Sequence, residues 1–306
     1  MSKMVNTVTG KIPVEALSKT LIHEHVICSS PEMMGYFHPE WNPLERVIPR
    51  TVEMLKRVKE EYGIHTIVDG TPLSLGRDLE LLKAVSEKAE VNIIASTGFY
   101  TYNCFTAFNV EPLYMARYLI NEIEKGKIAP GFLKCAVEEE MTPCQEKFIR
   151  TIAHIHHATS LPIFAHSNAA KMSGLAILEI FAEMGVPFSK IVIGHTGDAL
   201  NLDYPLALLE RGANISIDRI SGDGKKKGEL AGELIRRGYA ERLFLAHDAI
   251  LFNDRDNIPE YEGYTQYSPE RLAVIHKYIL PALTASGIPE EAFHKIFVEN
   301  VKRLFL

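Results

Sequence analysis

Near the N-terminus an apolar run, Thr20-Leu21-Ile22-His23-Glu24-His25-Val26-Ile27, carries two histidines one residue apart. Successive side chains of an extended strand point to opposite faces, so His23 and His25 project together and Glu24 projects away from them. Two neutral imidazoles converging at the end of a buried strand make half of a metal site; the plainer alternative is a pair of histidines that simply lie in a strand. The rest of the chain raises the metal reading. Lys134 interrupts Gly131-Phe132-Leu133-Lys134-Cys135-Ala136-Val137, and His166 follows Phe164-Ala165. His195 stands in Ile193-Gly194-His195-Thr196-Gly197-Asp198, Asp218-Arg219 follow Ile217, and His247-Asp248 follow Leu245-Ala246. Taken singly, His166 or His195 reads as a hydrogen-bonded histidine and Asp248 as a cap on the turn that follows. Taken together, His23, His25, Lys134, His166, His195 and Asp248 put candidate ligands at the exits of five runs.

Lys134 is the odd member, because burial disfavours its positive charge. A neutral, desolvated lysine attacks carbonyls, so a Schiff-base lyase is one reading. Four histidines and an aspartate around it argue instead for metal, where a cationic lysine is repelled and something must turn it into an anion.

These residues need a scaffold that brings several strand ends to one place. Short β-branched runs at 20–27, 65–69, 91–96, 132–137, 161–165, 190–194, 213–217 and 242–246 alternate with stretches of helical period, such as Val52, Leu55, Val58 and Lys59 or Ile177, Ile180, Phe181 and Met184. Gly63, Pro130-Gly131, Pro162 and Gly212 mark several strand entries. Eight strands alternating with helices predict an α/β (β/α)8 barrel with the candidate site at the C-terminal ends of the strands; a doubly wound open sheet is the alternative. The chain has 306 residues, 46% apolar and 24% charged, which one barrel accommodates as a single domain over 1–306 ending in a helix at 289–306.

Net charge is −6 with no long basic stretch, which excludes an electrostatic footprint for nucleic acid. No secretion signal and no run of about 18 apolar residues is visible, so no membrane partner is expected. Four widely spaced cysteines, Cys28, Cys104, Cys135 and Cys144, suit a reducing compartment. The expected location is the cytoplasm.

The order of the H-x-H pair, the strand lysine, His166-Ser167-Asn168, Gly194-His195-Thr196-Gly197-Asp198 and the final His247-Asp248 resembles the phosphotriesterase family of the amidohydrolase superfamily, including its phosphotriesterase-like lactonases. The resemblance runs from Thr7-Val8-Thr9-Gly10 to Glu299-Asn300. It implies two divalent metal ions, zinc first and manganese, cobalt or iron as alternatives, bridged by N6-carboxylated Lys134 and a hydroxide. His23, His25 and Asp248 then look like ligands of the more buried ion, and His166 and His195 like ligands of the more exposed one. The family's general acid/base matches Asp248, relayed outward through Arg219 toward Asp198. Some members carry His at the Arg219 position. Tyr100 matches a tyrosine that hydrogen-bonds the substrate in the lactonases, and the family implies a homodimer.

His154-Ile155-His156-His157 lies between strand runs, far from any strand exit, and reads as a solvated helix. Gly222-Asp223-Gly224-Lys225-Lys226-Lys227-Gly228 lacks the Walker spacing and reads as a flexible loop, although it follows the seventh run, where barrels often bind phosphate. The stretch 253–261 is polar and lacks the tryptophan many relatives carry, Trp41 being the chain's only one. The expectation is therefore a metal-dependent lactonase with promiscuous phosphotriesterase activity, acting on a lactone or organophosphate ester. Lys225, Lys226, Lys227 and Arg255 are expected to hold a substrate anion, and Tyr102 to line the substrate. A true phosphotriesterase, another esterase and a metal-binding barrel without turnover are the rivals.

Overall fold

The computed structural model describes residues 3–37, 41, 44–101, 109–222, 224–257 and 270–306, and the side chains of Arg255 and Asn257 are outside that description. A short antiparallel hairpin, β1 (Met4–Thr7) and β2 (Gly10–Pro13), opens the chain. Each of the eight runs then becomes a strand. These are β3 (Thr20–Glu24), β4 (Thr66–Asp69), β5 (Asn92–Gly98), β6 (Phe132–Val137), β7 (Ile163–Ser167), β8 (Ile191–Ile193), β9 (Asn214–Ile217) and β10 (Leu243–Leu245).

Neighbours in the sheet follow chain order from β3 to β10 and all pair in parallel. The seam between β3 and β10 is stitched just past the strand ends. His25 N–H donates to Ala249 O at 2.9 Å, Leu251 N–H to His25 O at 2.8 Å, and Asp248 N–H to His23 O at 3.1 Å. Sequential order with a stitched seam is a (β/α)8 barrel and not an open doubly wound sheet.

Period-2 alternation explains where the site must lie. Ile22, Val68, Ile94, Phe132, Phe164, Val192, Phe244 and Ala246 belong to one inner cluster with Val5, Val14 and Leu17 from the N-terminal segment and Val301, Leu304 and Phe305 from the last helix. The hairpin and the final helix thus plug the barrel, a role the local pattern of residues 4–13 did not announce. Two residues beyond Phe132, Phe164 and Ala246 come Lys134, His166 and Asp248, the next inward positions at the opposite end. Each fully buried phenylalanine contributes about 1.5–3 kcal/mol relative to exposure, which fixes the floor on which the polar layer stands.

The outer cluster packs the other strand faces against the surrounding helices, with Leu21, Ile67, Leu133 and Ile215 opposite Val58, Leu82, Ile152 and Leu234. The helix Pro143–Thr159 starts at a reciprocal capping box between Thr142 and Gln145. It carries the 154–157 histidines away from the strand ends. His156 Nδ1 and His157 Nε2 bond the carbonyls of Leu161 and Met184, so both rings serve the packing of the helix ends. The C-terminal segment is helical from Glu290 to Phe305 with a wider π turn at Lys295–Glu299. Among the described residues no helix is long and apolar enough to cross a membrane, and Cys28 and Cys135 are free thiols.

Candidate active site

The rings of His23 and His25 lie 5.1 Å apart, centroid to centroid. The register between β3 and β4 shifts between Leu21 and Glu24, a bulge that re-aims His23 at the barrel's rim. A Cβ on Gly70 would stand 2.6 Å from His23 Cδ2, so the exit of β4 must be glycine if the ring is to keep its place. His195 and His166 complete a tight group, their ring centroids 4.2 Å apart.

Each ring is oriented by a partner behind it, and the partners assign the tautomers. Asp218, fully buried, accepts from His23 Nδ1 at 3.1 Å and from His195 Nδ1 at 2.6 Å. Thr71 Oγ1 donates to Ile27 O and so accepts from His25 Nδ1 at 2.8 Å. Glu138 Oε1 accepts from His166 Nε2 at 2.6 Å. The lone pairs left over are Nε2 of His23, His25 and His195 and Nδ1 of His166.

His23 Nε2 faces Lys134, and the other lone pairs face each other or an anion. His195 Nε2 and His166 Nδ1 stand 2.7 Å apart, and His25 Nε2 stands 3.1 Å from Asp248 Oδ1. Two acceptors at such distances require a cation or a proton between them. Burial, then the neighbouring Lys134, push His23 down to about 3. Burial and His195 push His166 equally low, to about 3, so both rings stay neutral as ligands must. Burial opposes charge on His25, yet Cys28 and the Asp248 carboxylate outweigh it and push that ring up to about 10. The pocket calls for positive charge at that point.

His23, His25 and Asp248 have ligand atoms within 4.8 Å of one another, and so do His23, His195 and Asp218. The first group offers free lone pairs to the cavity and fits a metal ion. In the second, the Nδ1 atoms of His23 and His195 donate to Asp218, so this carboxylate orients two candidate ligand rings. Asp218 closes the β9 run as a buried carboxylate, which was the available signal for this role.

Lys134 Nζ lies 2.7 Å from His23 Nε2 and 4.5 Å from the Phe164 ring centroid. Burial pushes its amine down to about 8, which leaves a neutral fraction open to carboxylation near pH 7. Asp248 Oδ1 faces His25, while Oδ2 faces Arg219 Nε at 3.3 Å. His195, Arg219 and Asp248 follow the ends of β8, β9 and β10 and all adopt left-handed backbone, with φ of 62°, 52° and 51°. That conformation costs about 1–3 kcal/mol per non-glycine residue and persists where surrounding bonds over-determine it.

At Asp248 those bonds come from Glu24. Its Oε1 accepts from His247 N and Nδ1 and its Oε2 from Ala249 N, each at 2.9 Å. One carboxylate therefore clamps the residues on both sides of Asp248. Alternation predicted that Glu24 points away from His23 and His25, and the fold gives that direction a use: Glu24 positions Asp248. Glu24→Gln keeps the shape but turns an amide N–H₂ toward these donors. Metal affinity, read by dialysis against buffered zinc, is expected to fall about 10–100-fold with far-UV circular dichroism unchanged. Wild-type affinity in that variant would remove the positioning role.

Arg219 Nη1 continues from Asp248 to Asp198 Oδ2 at 2.9 Å, the chain of residues expected from the sequence. The lysine run does not end as an anion loop. Residues Lys225–Arg236 form a helix, and Lys227 Nζ reaches back to Asp198 Oδ1 and Asp218 O, both at 2.6 Å. Lys227, expected to hold a substrate anion, thus has its charge taken up by a carboxylate and a strand-end carbonyl. Lys225 and Lys226 sit exposed on the helix's first turn. Tyr102 and the Arg255 side chain lie outside the described residues.

Glu138, the first residue past β6, had no role assigned from the sequence, although its place at a strand exit was the available signal. Beyond His166 it accepts from Tyr100 Oη at 3.2 Å and lies 3.8 Å from Arg219 Nη2. The His166 bond, ahead of the opposing effect of burial, holds its carboxyl down at about 2. Tyr100 sits edge-on to His166, with Oη 3.5 Å from Nδ1. Burial, then Glu138, push this phenol well above its usual range, so it remains an O–H donor. Tyr100, His166, Arg219 and Asp248 line a cavity of about 430 Å³ together with Cys28, Ser221, Ile250 and Arg271.

Residues 3–305 match the Phosphotriesterase family. The chain is 31% identical to the Phosphotriesterase homology protein of Mycobacterium tuberculosis, over 98% of this chain and 97% of that one. It is 33% identical to the Aryldialkylphosphatase of Saccharolobus solfataricus, over 97% and 98%, and 27% identical to the N-acetyltaurine hydrolase of Mus musculus, over 99% and 98%. Histidines, a lysine and an aspartate gathered at the strand ends of a barrel, with these relatives, define a metal-dependent hydrolase acting on esters. The chain belongs to the phosphotriesterase family.

Proposed function

We propose that the chain is a lactonase with a two-cation site, and that organophosphate triesters are hydrolysed as a side reaction. His23, His25 and Asp248 would hold one divalent ion, zinc first among the alternatives, and His166 and His195 the other. Lys134, carboxylated on Nζ, would supply the anion between them. Bound there, such ions lower the pKa of a shared water and polarise the ester oxygen.

The remaining work falls to side chains. Asp248 Oδ1 stands among the ligand rings and takes the proton released on attack. Arg219 spans Asp248 and Asp198; burial opposes its charge, but these two carboxylates raise it further. A guanidinium held so firmly charged fixes the two carboxylates in place without passing protons between them. The proton then leaves from Asp248 into the open cleft.

Tyr100 carries the choice of a lactone. Its O–H, which donates to Glu138 at 3.2 Å, lies beside His166 and would turn to the ring oxygen or carbonyl of a planar ester. The test is a panel on metal-reconstituted protein: neutral lactones of five- and six-membered rings, a diethyl aryl phosphate, and an N-acetylated amine. The last two arms follow the relatives named above. Lactones are expected to show the highest kcat/KM, and Tyr100→Phe to lower it about 10-fold, the loss of one hydrogen bond near a developing charge. Faster turnover of the triester or the amide than of every lactone would reject the reading.

A further inference from the structure

Arg271 enters the same cavity from the turn ahead of the helical segment Ile275–Ile279. Among the described residues its guanidinium makes one hydrogen bond, from Nη1 to Ile250 O at 2.9 Å, and it has no carboxylate within ion-pair distance. The described carboxylates at the rim are already engaged. Asp248 and Asp198 share Arg219, Asp198 also holds Lys227, and Glu138 lies against His166 and Arg219. Among the described lining residues Arg271 is the guanidinium left without a carboxylate partner, the other lining cation, Lys134, being buried against His23.

A guanidinium has five N–H donors in a fixed fork, and a half-buried one that spends a single donor on a carbonyl keeps the others open to a ligand in the cavity. Its position is set by the backbone at the barrel's seam. Ile250 bridges in parallel to His25, so the bond to Ile250 O ties the fork to the backbone beside a candidate ligand. A fixed fork beside a catalytic centre suits bidentate capture of an oxyanion.

We propose that Arg271 is the anchor of an oxyanion subsite, and that the substrate bears a carboxylate or phosphate group remote from the ester that is cleaved. The inference rests on the ester-hydrolase reading above and names its substrate class. It also moves the anion site expected from the sequence. The lysines of 225–227 start a helix, and Lys227 is already neutralised, whereas Arg271 faces the cavity with its donors open.

The experiment uses full-length, metal-loaded protein and three γ-lactones that differ only in one ring substituent: hydroxymethyl, carboxylate or phosphorylated hydroxymethyl. Wild type is expected to prefer one or both anionic lactones through a lower KM. Arg271→Gln should cut the ratio of kcat/KM for anionic over neutral lactone about 10–100-fold, the range for hydrogen bonds to a charged group. Arg271→Lys should restore part of it, because it returns charge without the fork. The carboxylate and phosphate arms decide which oxyanion the subsite takes. An unchanged ratio in Arg271→Gln, or a wild type that favours the neutral lactone, overturns the proposal. If none of the three is hydrolysed, lactonase activity fails separately, and calorimetric titration of the ring-opened hydroxy acids still decides the subsite. Equal affinity of wild type and Arg271→Gln for the phosphorylated acid would then reject it.

Discussion

Lys134→Ala is expected to lose bound metal and activity together, with turnover falling by about 10³-fold or more, the several kcal/mol that metal assistance supplies. Lys134 is 1% exposed and sits on the floor made by Phe164, with Nζ against His23 Nε2. Alanine removes the nitrogen and leaves a void, so Lys134→Met, which fills the volume without a nitrogen, is the companion variant. Both should elute as folded protein with far fewer than about two zinc ions per chain by plasma emission. Full metal content and full turnover in either would show that Lys134 bridges nothing. Trapping by borohydride in the presence of substrate would revive the Schiff-base alternative.

Asp248→Asn should separate ligation from proton handling. In the native site one carboxylate oxygen faces His25 and the other Arg219. Asparagine can keep an oxygen toward the imidazoles, but it places N–H₂ against the Arg219 guanidinium and cannot accept a proton. Turnover is expected to fall roughly 10²–10⁴-fold, the worth of general base catalysis, with metal partly retained. The measurements are kcat and metal content on the same preparation. Near-normal kcat would place the base elsewhere, with Glu138, bonded to His166 and Tyr100, the next group to change.

Much of the barrel was legible because its signals are local. A β-branched run with a polar residue near its exit needs only five or six neighbours to be recognised, and all eight runs became strands, most within two residues of their expected ends and the first cut short at Glu24. The candidate ligands were visible for the same reason. A charge or imidazole inside an otherwise apolar strand has to be matched by something, and metal was the match most economical for all six. The hairpin Met4–Pro13 was less legible, since its polar alternation describes any short exposed ribbon until the barrel end beneath it is known.

The groups that make those ligands work were decided only by the tertiary fold. Asp218 serves His23 across 195 positions and Glu24 serves His247 across 223. No window of sequence contains either pair, so each carboxylate looked like an ordinary rim or strand residue. The left-handed backbone at His195, Arg219 and Asp248 is likewise unfavourable by local energetics and survives on distant bonds such as Glu24 to Ala249. Lys227 was grouped by its charged neighbours, yet helix winding turned it back onto Asp198. Arg271 stood in no motif, and gained a place beside the site when the turn carrying it met Ile250. Residue chemistry and period specified which groups come to the rim; closure of the barrel specified which of them are paired, and so which are left to act.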